Sequence, residues 1–442
     1  MSAHLRSLIG RQLAGSGMVL ALLLLCSYFS LATWTEQHPQ DAAAARVLAA
    51  AITAQEGEAA RVLIAVRSQA EDAAFADALL VELRQRGVTA TETVRGGPAD
   101  ARAALQRAAT VGGLDVIACN HASAMWLVFS GLAADFPALG DVRIVQPRSY
   151  SWPNFLKADN LLNIANQIAV IAILAIGMTM VIISGGIDLS VGSLIALAAV
   201  VTTLLIRDVF GGVQAGVMGM LAAALVGIAL CGLCGAISGV LITQMQVPPF
   251  IVTLSLMLAA SGAAFRLAEN QSIYQVPDSF VWLGRGTSLG GLPNAVLLML
   301  VLYAVAHVVM TRTLLGRHLY AVGGNIEAAT LSGITVRRVT LWAYAICGLL
   351  AGLGGVVTAS LLKSGSPTYG QMYELYVIAA VVVGGTSLSG GKGTMPGTLV
   401  GAFIIAVIQN GMNLTNVEGN TQKIVLGGVI LGAVLVDRLR RR

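Results

Sequence analysis

Charge is what this sequence has least of. Only 11% of its 442 residues are Asp, Glu, Lys or Arg, against roughly 25% in soluble domains. With 56% hydrophobic residues, that excludes an ordinary solvated protein. Cysteine is scarce too, and the five present show no disulfide framework. Cys231 and Cys234 form a CxxC inside an apolar run, beside Gly232 and Gly235, with no His or acidic residue near. A redox or metal motif lacks its context there, so both read as buried small residues. A nucleotide site is missing as well. GGKGT (Gly390–Thr394) has Thr386 where a P-loop needs its first glycine, and Gly393 where it needs Ser or Thr.

Long apolar runs and glycine are abundant instead. Ten runs are long enough to cross a bilayer: 16–34, 161–183, 188–206, 213–243, 249–267, 294–312, 340–360, 375–388, 396–414 and 422–437. The fourth is long enough to be tilted or broken. The eighth is short. Fifty glycines suit close helix packing within a membrane. The net charge of +5 is dispersed over Arg6 and Arg11, a polar island, and the tail Arg438, Arg440, Arg441 and Arg442. That is a positive-inside pattern, not a nucleic-acid groove. It places both termini in the cytoplasm, with Arg312, Arg317, Arg337 and Arg338 on the same side. Arg207, Arg266, Arg285, Lys363 and Lys423 fall in short outer loops. Met1–Thr33 resembles a signal peptide, but no small-x-small cleavage site follows Leu31, so the segment reads as an uncleaved first span.

Residues 35–150 break the pattern. An Ala-rich helical stretch over 41–60, read as a stalk, precedes a strand at Val62–Val66 and a helix with Phe75, Leu79, Leu80 and Leu83 on one face. A strand at Val88–Val94, a helix near Pro98–Ala109, a strand at Leu114–Cys119, a helix near Ser123–Ala134 and a strand at Val142–Val145 follow. Such alternation implies βαβ crossovers and a parallel sheet. The chain is therefore expected to be a polytopic α-helical membrane protein of about ten spans, with a small extracytoplasmic α/β domain between the first two. The expected division is 1–34 (cytoplasmic N-terminus and first helix), 35–150 (periplasmic α/β domain), 151–437 (helices 2–10, with a cytoplasmic loop at 313–339) and 438–442 (basic cytoplasmic tail).

The polar island, Gly316–Arg338, has the signals of a short capped helix. Asn325 can N-cap it, Glu327 suits the positive end of its dipole, and Gly333 is a natural C′ residue. A capped surface helix on the inner face is something a motor subunit can push. Asp188, in SGGIDLSVGS (Ser184–Ser193), is the one acidic residue near membrane depth. It reads first as the N-cap of the third span, with a part in gating alongside Ser190 as the alternative. Asn166, Gln167, Thr179, Ser255, Gln409, Asn410 and Asn413 are polar positions on apolar spans. Each either joins neighbouring helices or lines a path for a hydroxylated solute. No aromatic clamp for a sugar shows in the spans.

PNFLKADNLLNI (Pro153–Ile164), SGGIDLSVGS, the PPF turn (Pro248–Phe250), YAVGGNIEAATLSGI (Tyr320–Ile334) and VVVGGTSLSGGKGT (Val381–Thr394) recur in order. The chain from about Ser151 to Arg438 thereby resembles the permease subunit of ribose-type sugar ABC importers, in the branched-chain amino acid/ribose permease superfamily. The departure is the α/β insertion. The resemblance implies a second permease subunit (usually a homodimer), two cytoplasmic ATPase subunits that bind the ATP, a periplasmic sugar-binding protein, and no cofactor, catalytic residue or metal in this chain. It makes the island a coupling helix whose Gly323, Gly324, Asn325, Glu327, Ala328, Ala329 and Gly333 enter an ATPase cleft.

Ligand groups in a parallel sheet gather beyond the carboxyl ends of strands. Those ends carry Arg67, Ser68 and Gln69, then Arg95, then Asn120 and His121. The expected role is a docking surface for the binding protein, with helix capping by Asn120 and His121 as the plainer alternative. A membrane sensor would need an inner effector domain. An ion-coupled carrier would need paired acids in mid-membrane. Neither pattern is present.

Overall fold

The computed structural model describes residues 3–439, with side chains from Gly17 to Leu435 apart from Thr91. Arg6, Arg11 and the basic tail at 438–442 therefore lie outside the side chains described. The chain divides into two compact units, one made of residues 1–33 with 154–442 and the other of residues 34–153.

The first unit opens with helix α1 (Ala3–Ala32). The second unit holds β1 (Trp34–Gln37), α2 (Ala42–Glu56), β2 (Val62–Val66), α3 (Ala70–Gln85), β3 (Ala90–Arg95), α4 (Pro98–Val111) and β4 (Val116–Cys119). It ends with the short helices α5 (His121–Ala124) and α6 (Leu132–Asp135), then β5 (Arg143–Val145) and β6 (Tyr150–Pro153). Strands β3-β2-β4-β5 form a sheet in that order, with every pairing parallel. The period of two explains its layering. Val62, Ile64 and Val66 pack with α2 and α3 on one face, while Leu63 and Ala65 pack with α4 on the other.

Three expectations for this unit need correction. The Ala-rich stretch is no stalk. Asp41 caps α2 by accepting from Ala44 N at 2.8 Å, and Ala45, Leu48, Ala49 and Ile52 are buried against the sheet side of the layer. Small alanines allow that helix to lie close. Strands β3 and β4 each begin two residues later than expected, at Ala90 and Val116. The helix near Ser123–Ala134 is broken into α5, a 3-10 turn at Leu127–Phe129, and α6. Trp126 and Phe129 stack there, and Phe129, Phe136 and Leu139 are buried against the α4 face.

The remainder of the first unit is helical: α7 (Ala158–Ile183), α8 (Val191–Asp208), α9 (Val217–Gln244), α10 (Pro249–Leu267), a turn α11 (Trp282–Arg285) and a small ribbon β7 (Thr287–Ser288) and β8 (Leu292–Pro293). Next come α12 (Asn294–Arg312), α13 (Leu314–Gly324), α14 (Ile326–Leu331), α15 (Val336–Leu362), α16 (Tyr373–Val383), α17 (Met395–Leu414) and α18 (Gly419–Leu439). Seven of these are long and apolar enough to cross a membrane: α7, α8, α9, α10, α12, α15 and α17. Gly17–Ala32, Tyr373–Val383 and Gly419–Leu435 are shorter apolar helices. The fourth expected span is one unbroken helix, α9, of 28 residues, about 42 Å at 1.5 Å per residue. Helix α7 is the centre of the bundle, buried from Ile168 to Ile183.

Helices α9 and α15 meet through small residues. A methyl on Gly235 would stand 2.2 Å from Tyr344 O, and one on Gly348 would stand 2.3 Å from Cys231 O. Cys231, Gly235 and Gly239 repeat every four residues, as do Tyr344, Gly348 and Gly352, so one edge of each helix stays narrow. Cys231 is therefore a buried packing residue whose thiol donates to Leu194 O at 3.3 Å. Replacing Gly348 by Val must push the two backbones apart, an overpacking cost of about 1–3 kcal/mol. The Gly348→Val chain is expected to melt at lower temperature in detergent. Gly262→Val, where nothing lies within 4 Å, should leave the melting temperature unchanged.

Candidate functional site

The island folds as its residues dictate. Thr313 caps α13 and Asn325 caps α14, the Asn325 Oδ1 accepting from Ala328 N at 2.9 Å. Helix α14 ends where Gly333 takes φ +82°, with Gly333 N donating to Thr330 O and Ile334 N to Ala329 O, both at 3.0 Å. That is a glycine-terminated C-cap. Gly324, Asn325, Glu327, Ala328 and Gly333 are exposed. So are two residues that the capping signals did not single out, Ile326 and Leu331, the latter 90% exposed. Their apolar character between polar neighbours was the available signal.

Two of the seven expected contact residues face inward instead. Ala329 is buried beneath its own helix. Gly323 is pressed onto the membrane unit, where an added methyl would stand 1.6 Å from Ile183 O and 2.6 Å from Gly391 N. Only a residue without a side chain fits that seat. The Gly390–Gly391 turn, with both glycines at positive φ, completes it, as Gly391 N donates to Ile183 O at 2.9 Å. Tyr320 OH donates to Gly393 O at 2.7 Å. The GGKGT loop thus spends its backbone on holding α13 and the end of α7, and forms no phosphate cradle. Backbone contacts thus link α13, which leads into the exposed helix α14, to the end of α7 and the loop before α17.

Asp188 does not cap α8 in the expected way. The N-cap position belongs to Ser190, and Asp188, two residues earlier, accepts at Oδ1 from Ser190 N at 2.9 Å and Ser190 Oγ at 2.6 Å. Glycines at 185 and 186 let the chain double back there, so the carboxylate braces the loop before the helix. Both residues are fully buried, with the Cys347 thiol against the carboxyl.

The other polar positions separate into joints and faces. Asn410 exchanges two hydrogen bonds with Asn160, at 3.1 and 2.8 Å, tying α17 to α7. Thr179 and Thr398 hydroxyls meet at 2.8 Å across the same pair of helices. These are joints between neighbouring helices, the first of the two roles expected for Asn410 and Thr179. Ser255 donates to Ile251 O of its own helix at 2.8 Å and faces outward, as does Gln167. Gln409 is half-buried, and Asn413 Oδ1 accepts from Gln422 Nε2 at 2.8 Å. Asn166 is half-buried with its Oδ1 unpartnered.

In the α/β unit the sheet order reverses between β2 and β4, so their carboxyl ends flank a crevice. Asn120 at that point caps α5, accepting from Ser123 N at 3.0 Å and Ser123 Oγ at 2.8 Å. The plainer expectation holds for Asn120. His121 stacks on His38 with centroids 3.4 Å apart, and lines a cleft of about 360 Å³ with Gln146, Pro147, Arg148 and Ser149. Arg95 pairs with Asp77, and Arg67 with the buried Asp72 at 2.6 Å. Ser68 is exposed, while Gln69 is the N-cap residue of α3 without a side-chain cap bond. Burial pushes the Cys119 thiol up to about 12, so it stays protonated at neutral pH and is no nucleophile.

The seating of Gly323 gives a sharp contrast with its neighbour. Gly323→Ala is expected to lower the melting temperature of the detergent-solubilised chain, since Ile183 and Gly391 present backbone that cannot yield. Gly324→Ala, with nothing within 4 Å, should melt with the unaltered chain.

The family match falls within the membrane unit. Residues 160–434 match the family described as branched-chain amino acid transport system / permease component. The chain is 43% identical over 293 residues to the ribose import permease protein of Escherichia coli K12, covering 65% of this chain and 88% of that one. It is 42% identical over 304 residues to the ribose import permease protein of Bacillus subtilis 168, covering 68% and 92%. It is 37% identical over 285 residues to the D-allose transport system permease protein of Escherichia coli K12, covering 64% and 85%. No solved structure gives a significant match. With the family match spanning more than half the residues and seven membrane-length apolar helices beneath it, the chain belongs to the branched-chain amino acid transport system permease component family.

Proposed function

We propose that this chain is the membrane-spanning subunit of an ATP-driven importer that carries a monosaccharide across the bacterial inner membrane. The relatives named for ribose and allose import cover most of their own length in this chain. The observation that carries the mechanism is α14, a capped helix with exposed Ile326, Glu327 and Leu331, rigidly seated through Gly323 on the end of α7. A cytoplasmic ATPase gripping that helix delivers force to the helix ends, not to a floppy loop. The proposal comprises ten spans, counting α1, α16 and α18 with the seven long helices. It has two permease copies, a pair of ATPase subunits that bind the ATP, and a secreted sugar-binding protein. Gly324, Asn325, Glu327, Ala328 and Gly333 form the contact surface, and Gly323 transmits.

The α/β unit, residues 34–153, is proposed to lie outside the inner membrane and to dock the binding protein through the β2 and β4 ends. The family match begins beyond it, at residue 160, so its role is additional to transport itself. Uptake lost on deleting 37–148, with the membrane unit still assembled, supports docking. Unchanged uptake removes it.

The importer is tested by D-ribose accumulation in cells that lack their own ribose permease but supply the ATPase and binding protein. Expression of this chain should restore accumulation. Glu327→Arg is expected to lower it about tenfold or more, since a reversed charge at a buried contact costs at least the 1.4 kcal/mol that corresponds to tenfold in affinity. The same variant should lose co-purification with the ATPase while keeping its melting temperature. Retained co-purification would move the coupling surface elsewhere.

A further inference from the structure

Between α15 and α16 the chain goes into the bundle without forming a helix. After Leu362 it runs as Ser364–Met372 in turns and extended backbone. Gly365 lies against Thr203 and Ala199 of α8, and Gly370 against Gly192 and Ile195 of the same helix. The segment thus follows α8 from near one end to its first turn. Residues 203 and 192 are separated by about 16 Å at 1.5 Å per residue.

Depth follows from Ile195. A methyl on Gly370 would stand 2.9 Å from Ile195 Cβ, and one on Gly355 would stand 2.6 Å from Ile195 O. Gly370 and Gly355 therefore flank one level of α8. Gly355 lies in α15, about 10 Å of helix before Leu362 and far from Val336. In a helix about 40 Å long centred on a core of about 30 Å, that level is about 5 Å inside the hydrocarbon. Helix α16 starts there, and its 11 residues span only about 16 Å.

Unwound backbone at that depth is tolerated only inside protein or along a water-filled path. The side chains say which. Ser364, Ser366, Thr368, Tyr369, Gln371, Tyr373, Glu374 and Tyr376 fall within thirteen residues. Ser364 and Ser366 turn inward, the Ser364 hydroxyl bonding Tyr369 OH and Ser366 Oγ meeting Thr368 Oγ1 at 3.0 Å. Thr368, Gln371 and Met372 are exposed. Glu374, in the first turn of α16, has no ion-pair partner among the described residues. Its carboxylate reaches the first turn of α8, where a methyl on Gly192 would stand 2.5 Å from Oε2. Lipid would not tolerate that face. The first turns of α8 and of the short α16 thus lie side by side below the membrane surface, and transporters place solutes beside such discontinuous segments.

We infer that Ser364–Met372 and the first turn of α16 line the passage for a hydroxylated solute, with the Glu374 carboxylate accepting its hydroxyls and Tyr369, Tyr373 and Tyr376 supplying aromatic faces. This rests on the importer reading for the solute, but not for the passage. In membranes containing the assembled complex, Gln371→Cys should react with a charged maleimide at a rate comparable with Val111→Cys, at an exposed position of the α/β unit. Leu225→Cys, on the outer apolar face of α9, should react only with a lipid-soluble one. Behaviour of Gln371→Cys like Leu225→Cys, or resistance to both reagents, overturns the inference. Glu374→Gln keeps the side-chain size and should lower D-ribose uptake about tenfold, the worth of one hydrogen bond to a charged group, with ATP hydrolysis by the complex retained. Full uptake in that variant overturns the role given to Glu374. If the unaltered complex takes up no D-ribose while Gln371→Cys still reacts with the charged reagent, the importer reading fails and the passage stands.

Discussion

Backbone touching backbone at glycine is the contact on which this membrane protein depends. Between apolar helices in lipid there is little hydrophobic force to gain, so association comes from close van der Waals approach and a few interhelical hydrogen bonds. Gly235 against Tyr344 O and Gly348 against Cys231 O supply the approach between α9 and α15. Asn160 with Asn410, and Thr179 with Thr398, supply the hydrogen bonds between α7 and α17. The same device recurs at Gly323, where it joins the exposed helix α14 to the bundle. A contact of this kind has almost no give. The contact holds α13, the helix before α14, against the end of α7 and the Gly390–Gly391 turn.

Much of the architecture was legible because its signals are local. Pro249 opens α10 and Asn294 opens α12 within the expected bounds. The cap at Asn325 and the stop at Gly333 are chemical properties of those residues and needed no tertiary context. The continuous apolar run at Val62–Val66 is what a strand buried on both faces requires. What the sequence concealed was inward or outward orientation at small residues. Ala329 and Gly323 read as parts of a contact surface, since nothing in Ala or Gly tells which way the residue points. Asp188 read as a helix cap because a carboxylate just before an apolar run commonly is one. The chain instead turns once more, and Ser190 occupies that position.

The eighth span was the hardest to read, for a related reason. A run at 375–388 has the hydropathy of a short crossing segment, and the hydroxyl-rich residues before it have that of an outer loop. Only the packing of Gly365 and Gly370 on α8 shows that the loop is inside. Tyr369 and Tyr373 precede the run at 375–388, so a search for aromatic residues within the spans passes them by. Likewise, the Ala-rich stretch after Asp41 had the composition of a free helix. Its burial comes from a sheet formed by residues that follow it.

Thr33 O accepts from Asn154 N at 2.9 Å, and Thr33 Oγ1 from Phe155 N at 3.1 Å. The polypeptide thus departs the bundle and comes home at a single spot. Whatever is strung between those two points adds almost no closure penalty to the helices. That hydrogen-bonded doorway makes the position a natural graft site. A fluorescent reporter with neighbouring termini, stitched in between Thr33 and Asn154, has a ready-made socket.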